Sequence, residues 1–208
     1  MSTTRHFHFI NYYNHVGKYI ITSCPLLCVS TVVSTNDIKQ LGYSSYKDGY
    51  RHRDAIVGSY NGILCLAQVY YNVSFVLLWN PSIRKVKKLP CLKDPCYISK
   101  NTFGFGYNFV TDNYKVVAIL TYDVRDSDGD VVCKTVVKVN TLGTNLWKNI
   151  LEFPFGSSPE HGSGIFVSGT INWLASKPWR GRSCFIISFD LGKESYQKVL
   201  HLIIERKM

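Results

Sequence analysis

The chain is 208 residues long, 46% hydrophobic and only 18% charged, and its aromatics include 14 Tyr and 11 Phe. That composition excludes a disordered chain, a collagen and a long coiled coil, and the length is enough to bury a core. With 24 Lys and Arg against 14 Asp and Glu the formal charge is +10, so an anionic partner has to be considered.

The start, MSTTRHFHFINYYNHV, has no basic stretch leading into an apolar one, so no secretory signal is expected. The run 19–33 is the most apolar early segment, but Thr22, Ser23, Pro25, Ser30 and Thr31 break it. A bilayer span needs roughly 20 apolar residues. The expected setting is intracellular, cytoplasmic or nuclear, with no membrane partner, and there the sequon Asn72-Val-Ser74 stays unmodified. Short runs rich in Val, Ile, Tyr and Phe then recur at 19–21, 26–33, 63–69, 75–79, 103–107, 114–122, 131–139, 164–167, 171–175, 184–189 and 195–203. Gly, Asn, Asp or Pro stands between them, a pattern that predicts an all-β fold of antiparallel neighbours. Asp126-Ser-Asp-Gly-Asp130 reads as the turn between two of these strands.

A repeat becomes visible when segments are aligned. Val76-Leu-Leu-Trp79-Asn80-Pro-Ser-Ile-Arg-Lys-Val86-Lys-Lys88-Leu89 parallels Phe185-Ile-Ile-Ser-Phe189-Asp190-Leu-Gly-Lys-Glu-Ser-Tyr196-Gln-Lys198-Val199. In each, an apolar strand ends in an aromatic followed by Asn or Asp, whose side-chain oxygen can cap a turn before the chain returns. A looser third unit is Thr135-Val-Val-Lys-Val139-Asn140-Thr-Leu-Gly143-Thr-Asn-Leu-Trp147-Lys148. Asn61-Gly62 and Gly169-Thr170 add further hairpin cues between apolar runs.

Four-stranded units repeating every 40–50 residues or so are the mark of propeller blades. The expected fold is a β-propeller-like, kelch-like array of antiparallel blades at about 58–90, 103–150 and 163–203, with 1–57 holding strands of a partial blade. Three blades are fewer than the four or more that usually close a propeller, so the array is expected to be incomplete. A β-sandwich is the alternative all-β reading. Trp79, Trp147, Trp173 and Phe189 are expected to form the core of the repeat.

The segments GSYNGILCL (58–66), LLWNPSIRKVKKLP (77–90), FGFGYNFVTDNYKVVAI (103–119), LGTNLWKNI (142–150), SGTINWLA (168–175) and IISFDLGKESYQKVL (186–200) resemble the type 1 F-box-associated domain of plant F-box and F-box/kelch-repeat proteins. They occur in that family's order. The resemblance implies a substrate-recognition module of a Skp-cullin-F-box ubiquitin ligase, presenting a target protein for ubiquitylation. Residues 1–57 contain no helical, Leu/Pro-rich stretch of the kind an F-box needs. The chain is therefore expected to lack the F-box through which it would reach the Skp adaptor and cullin.

Catalytic signatures are not found, and no cofactor or metal is expected. Gly104-x-Gly106 lacks the third glycine of a dinucleotide loop. Asp126-x-Asp128-x-Asp130 has Val137 where a calcium loop needs its bidentate Glu. His6 and His8 have no further ligands at metal spacing. The seven cysteines lack any Cys-x-x-Cys pair and read as free, buried thiols. In the basic run 84–88, Val86 is expected to join Trp79 in the core and the lysines to line a solvated edge. Candidate partner contacts are Trp179, Arg180 and Arg182, in a Pro/Gly/Arg turn, together with Arg84 and Lys85, since Trp and Arg dominate interface hot spots. The expected function is a non-catalytic protein-interaction domain for an unidentified target. A carbohydrate- or nucleic-acid-binding propeller is the alternative, and nucleic acid is the less expected partner.

Overall fold

A computed structural model of the chain describes residues 6–13, 18–25, 39–41, 53–70, 73–93, 98–125, 127–150, 152–160, 162–177 and 183–203. The chain divides into two compact units, Met1–Arg51 and His52–Met208. In the first, β1 (His6–Tyr13), β2 (Lys18–Pro25) and β3 (Lys39–Leu41) form an antiparallel sheet in that order. The strand expected at 26–33 lies outside the described residues.

The second unit holds three sheets. One contains β4 (Arg53–Tyr60), β5 (Ile63–Tyr70), β6 (Val73–Asn80) and β7 (Lys85–Lys88) as a meander, with the short β8 (Leu92–Lys93) also pairing with β6. The next runs β9 (Ile98–Asn108), β10 (Asn113–Arg125), β11 (Val131–Thr141) and β12 (Lys148–Ile150). The last contains β13 (Ser158–Pro159), β14 (Ile165–Val167), β15 (Thr170–Ser176), β16 (Ser183–Asp190) and β17 (Ser195–Ile203). Both β13 and β14 pair with β15, so together they form the first edge of that sheet. No α-helix occurs among the described residues, and Pro154–Gly156 forms a single 3-10 turn. The fold is all-β and propeller-like.

Residues 115–121 of β10 are buried without a break. Alternation sends Val116, Ala118 and Leu120 to one face and Val117 and Ile119 to the other, and each face is covered. The first set packs with Cys65, Ala67, Val76 and Leu78 of the preceding sheet. The second packs with Ile171, Trp173, Phe185 and Ile187 of the following one. Each core is thus a layer between two sheets. No core cluster of described residues joins the first and third of these sheets, and they do not close into a ring.

The first strand of the middle sheet meets the third sheet through glycine. Gly164 N donates to Phe103 O at 2.7 Å, and Gly104 and Gly164 form a parallel bridge. A methyl group on Gly104 would stand 2.6 Å from Ile171 Cγ2 and 2.7 Å from Trp173 Cζ2. The two glycines of the FGFGY stretch are therefore spaces for neighbouring side chains. Gly106 admits Phe166 and Leu191 in the same way.

Three expectations need correction. Val86 does stand opposite Trp79 in the register, yet Val86 is 54% exposed while Trp79 is buried. β7 is an edge strand with all four residues exposed, and the chain returns to the core only at Leu89, whose N–H donates to Val76 O at 2.9 Å. Trp147 is half-buried: it packs against the first core and its indole N–H donates to Pro90 O at 2.7 Å. The cysteines do not share one environment, since Cys65 is fully buried, Cys133 and Cys184 are half-buried and Cys91 is exposed. Burial pushes the Cys65 thiol well above its ordinary range.

Candidate functional site

Strands alternate in direction, so the connections β4–β5, β6–β7, β9–β10, β11–β12, β14–β15 and β16–β17 all leave from one end of their sheets. Side-chain contacts show that these ends coincide. Tyr60, from the β4–β5 hairpin, meets Tyr107 and Phe109 of the β9–β10 hairpin at centroid distances of 5.3 and 6.3 Å. It meets Phe166 of β14 at 5.1 Å, while Phe109 and Phe166 stack at 6.4 Å. Tyr114 closes the group against Tyr107 at 5.0 Å. Three hairpins from three sheets thus interlock through five aromatic rings, each favourable pair adding about 0.5–1.5 kcal/mol beyond simple burial.

The turns are built by local chemistry. Asn61 and Gly62 have φ of 47° and 73°, Ser168 and Gly169 of 45° and 87°, the double positive φ that a tight two-residue hairpin demands. In the wider β6–β7 turn, Asn80 Oδ1 accepts from Ser82 N at 3.0 Å and Ile83 N at 3.3 Å. Asp190 Oδ1 accepts from Gly192 N and Lys193 N at 2.8 and 2.9 Å in the β16–β17 turn. The residue four places on, Arg84 or Glu194, is left-handed in both, with φ of 53° and 51°. The capping expected from the repeat is present in these two units. In the third unit Asn140 instead donates from Nδ2 to Leu146 O at 2.7 Å, bridging a longer loop. That strand is one residue out of step: Val139 faces the third sheet of the unit, whereas Phe189 faces back toward the second.

One buried ionic link holds two of these turns together. Lys115 Nζ, on a nearly buried side chain, donates to Leu191 O at 2.8 Å and to Glu194 Oε1 at 2.8 Å. Lys148 Nζ reaches Glu194 Oε2 at 2.9 Å. Asn108 Nδ2 also donates to Leu191 O, at 3.1 Å. Burial alone would raise the Glu194 carboxyl, but the hydrogen bonds and charges of Lys115 and Lys148 outweigh it and hold it below the ordinary carboxylate range. The Tyr107 phenol is pushed up to about 12, first by the hydrogen bond it donates to Asp112, then by burial and by the charge of Asp112.

Around the aromatic cluster this end is apolar and open. Val110 is 83% exposed and Ile83 and Leu146 are each 60% exposed; Phe109 and Val167 are also more than half exposed. Exposed apolar residues gathered at one end of a domain make it a candidate interaction surface. Arg84 and Lys85, at the β6–β7 turn, and Lys193, in the β16–β17 turn, are exposed at this same end. Trp179, Arg180 and Arg182 lie outside the described residues. Trp79, Trp173 and Phe189 are buried side chains of β6, β15 and β16. Sequence reasoning missed the exposed Phe109 and Val110, although the NFVTDN turn places two apolar residues where solvated turns carry polar ones. No group of three or more His, Cys, Asp or Glu that could hold a metal occurs among the described residues. No helix among them is long and apolar enough to cross a membrane.

Comparison with known proteins agrees with this architecture. The family model of the F-box associated beta propeller domain matches residues 20–205. An F-box/kelch-repeat protein of Arabidopsis thaliana is 31% identical over 194 residues, covering 88% of this chain and 47% of that protein. The F-box protein CPR1 of the same plant is 27% identical over 162 residues, covering 69% of this chain and 38% of its own length. The chain thus spans less than half the length of these curated relatives. With a family model covering most of its residues, the chain belongs to the F-box associated β-propeller domain family.

Proposed function

We propose that the chain is a non-catalytic substrate-recognition domain of a Skp-cullin-F-box ubiquitin ligase, holding its target protein on the hairpin end of the second unit. The observation that carries this reading is the exposed apolar set around Val110, Phe109 and Val167, backed by an interlocked aromatic cluster that keeps it rigid. Rigid apolar anchors ringed by charge are what a specific protein interface uses for affinity. Membership of the F-box associated family supports the assignment to ubiquitin ligases. Link to the Skp adaptor belongs to the F-box, and the hairpin end supplies the target. The described blades, in this reading, are the three sheets of the second unit.

Affinity capture from plant extract with the wild-type chain and with a Val110→Asp, Val167→Asp variant tests the proposal. At least one captured protein should be lost with the variant, and the same protein should accumulate in cells when cullin activation is blocked. Identical capture by both chains, or no accumulation of any lost protein, would refute it.

A further inference from the structure

We infer that the segment recognised at the hairpin end is acidic, a peptide whose aromatic or aliphatic side chains seat on Phe109, Val110 and Val167 while its carboxylates pair with Arg84, Lys85 and Lys193. This rests on the reading of that end as a protein-binding face and adds a charge rule to it. The rule follows from which charges of the face are already used. Its connections and the strand ends that flank them carry three carboxylates, Asp112, Asp190 and Glu194. Asp112 accepts the phenol hydrogen of Tyr107. Asp190 is turned back onto the backbone of its own turn, accepting from Gly192 N and Lys193 N. Glu194 is held by Lys115 and Lys148. Each carboxylate is therefore engaged inside the molecule.

Three of its cations are not. Arg84, Lys85 and Lys193 have no carboxylate partner among the described residues. Arg84 is informative because it occupies a left-handed position, φ 53°, where glycine is the favoured residue. Glu194 stands at the matching place of the β16–β17 turn, equally strained, and there its carboxylate bolts two sheets together. Arg84 has the strain without an internal partner. A basic segment arriving at this face would meet like charge and no available carboxylate. An acidic one would find three exposed cations at the same end as the apolar residues, and such charge complementarity gives an interface selectivity and fast association.

The test presents the immobilised full chain with three sets of short fluorescein-labelled peptides. All carry the same Phe, Leu and Trp anchors and differ only in flanking residues, which are Asp/Glu, Ser or Lys. The acid-flanked set should bind about tenfold tighter than the serine set, the lysine set weakest, and the acid advantage should shrink as salt is raised. The variant Arg84→Gly, Lys85→Gln, Lys193→Gln should erase that advantage and leave serine-set binding unchanged. Glycine suits the left-handed position, and an unchanged melting temperature verifies that the variant folds. Val110→Asp should abolish binding of all three sets. Equal binding of acid and serine sets, preference for the lysine set, or an acid preference that survives the triple change would overturn the charge rule and leave the protein-binding face standing. No binding of any set, or full binding to the Val110→Asp chain, would overturn the face itself and the inference with it.

Discussion

Gly104 shows how one residue type can carry a contact between sheets. Its hydrogen atom faces Ile171 and Trp173, residues of β15 that are buried with almost no exposure. Gly104→Ala forces a methyl group into that space, and overpacking of this kind costs about 1–3 kcal/mol. Gly58, by contrast, has nothing closer than Phe105 O at 3.8 Å, an ordinary contact distance. Denaturant unfolding of the two alanine variants should therefore separate them clearly, with Gly58→Ala near the wild-type midpoint. Coincident midpoints would mean that the space at Gly104 is not what lets β9 approach β15. The FGFGY motif was legible as a pattern, and its two glycines read only as a failed nucleotide loop. The partners that explain them, Phe166, Ile171 and Trp173, lie sixty or more positions along the chain, and only the fold brings them close.

Between elements, the Lys115–Glu194–Lys148 link ties β10 and β12 to the β16–β17 turn. The Glu194 carboxyl is held below its unfolded value, so its contribution is complete above the ordinary carboxylate range, near pH 4.5, and is lost as pH falls through the depressed folded value. Glu194→Gln should destabilise the domain at neutral pH by about 1–3 kcal/mol, because Lys115 keeps its buried charge with only neutral acceptors, the Leu191 carbonyl and the new amide oxygen. The difference between wild type and variant should narrow as pH falls below about 4.5 and close once it passes through the depressed folded value, where the folded wild-type carboxyl is itself protonated. A difference constant from pH 7 to pH 3 would show that Glu194 acts by packing and not by charge. What could be read locally at this scale was read: Asn80 and Asp190 cap because a short side-chain oxygen reaches the backbone two and three residues on. What depends on a neighbour could not. Val86 has the right parity for the core, and it is solvated because β7 is the last strand of its sheet. Phe109 and Val110 likewise look like the apolar content of a strand until the hairpin places them at its tip.

Across the second unit, the two cores place the middle sheet in a different situation from its neighbours. β10 contributes side chains to both layers, and Lys115–Thr121 are buried without interruption. β7, at an outer edge, is exposed at every residue, and Lys198 and Val199 of β17 are exposed at the far edge. Amide exchange follows the free energy of the smallest opening that frees a given N–H, and that opening is small where few apolar contacts must break. Freeing the amides of β10 requires both layers to part, which amounts to unfolding the unit. Freeing β7 requires only the loss of one edge strand from β6. Hydrogen exchange should therefore be slowest across Val116–Leu120, with protection matching the global unfolding free energy, and faster by orders of magnitude at Lys85–Lys88. Comparable protection at the two places would mean that β7 is covered in solution, and the basic residues at its start would then not be free to meet an acidic partner. The same measurement repeated with the acid-flanked peptides bound should slow exchange at Arg84 and Lys85 and in the Phe109–Val110 turn, leaving β10 unchanged. On that expectation the middle sheet is the fixed support from which the turns of the proposed recognition face project.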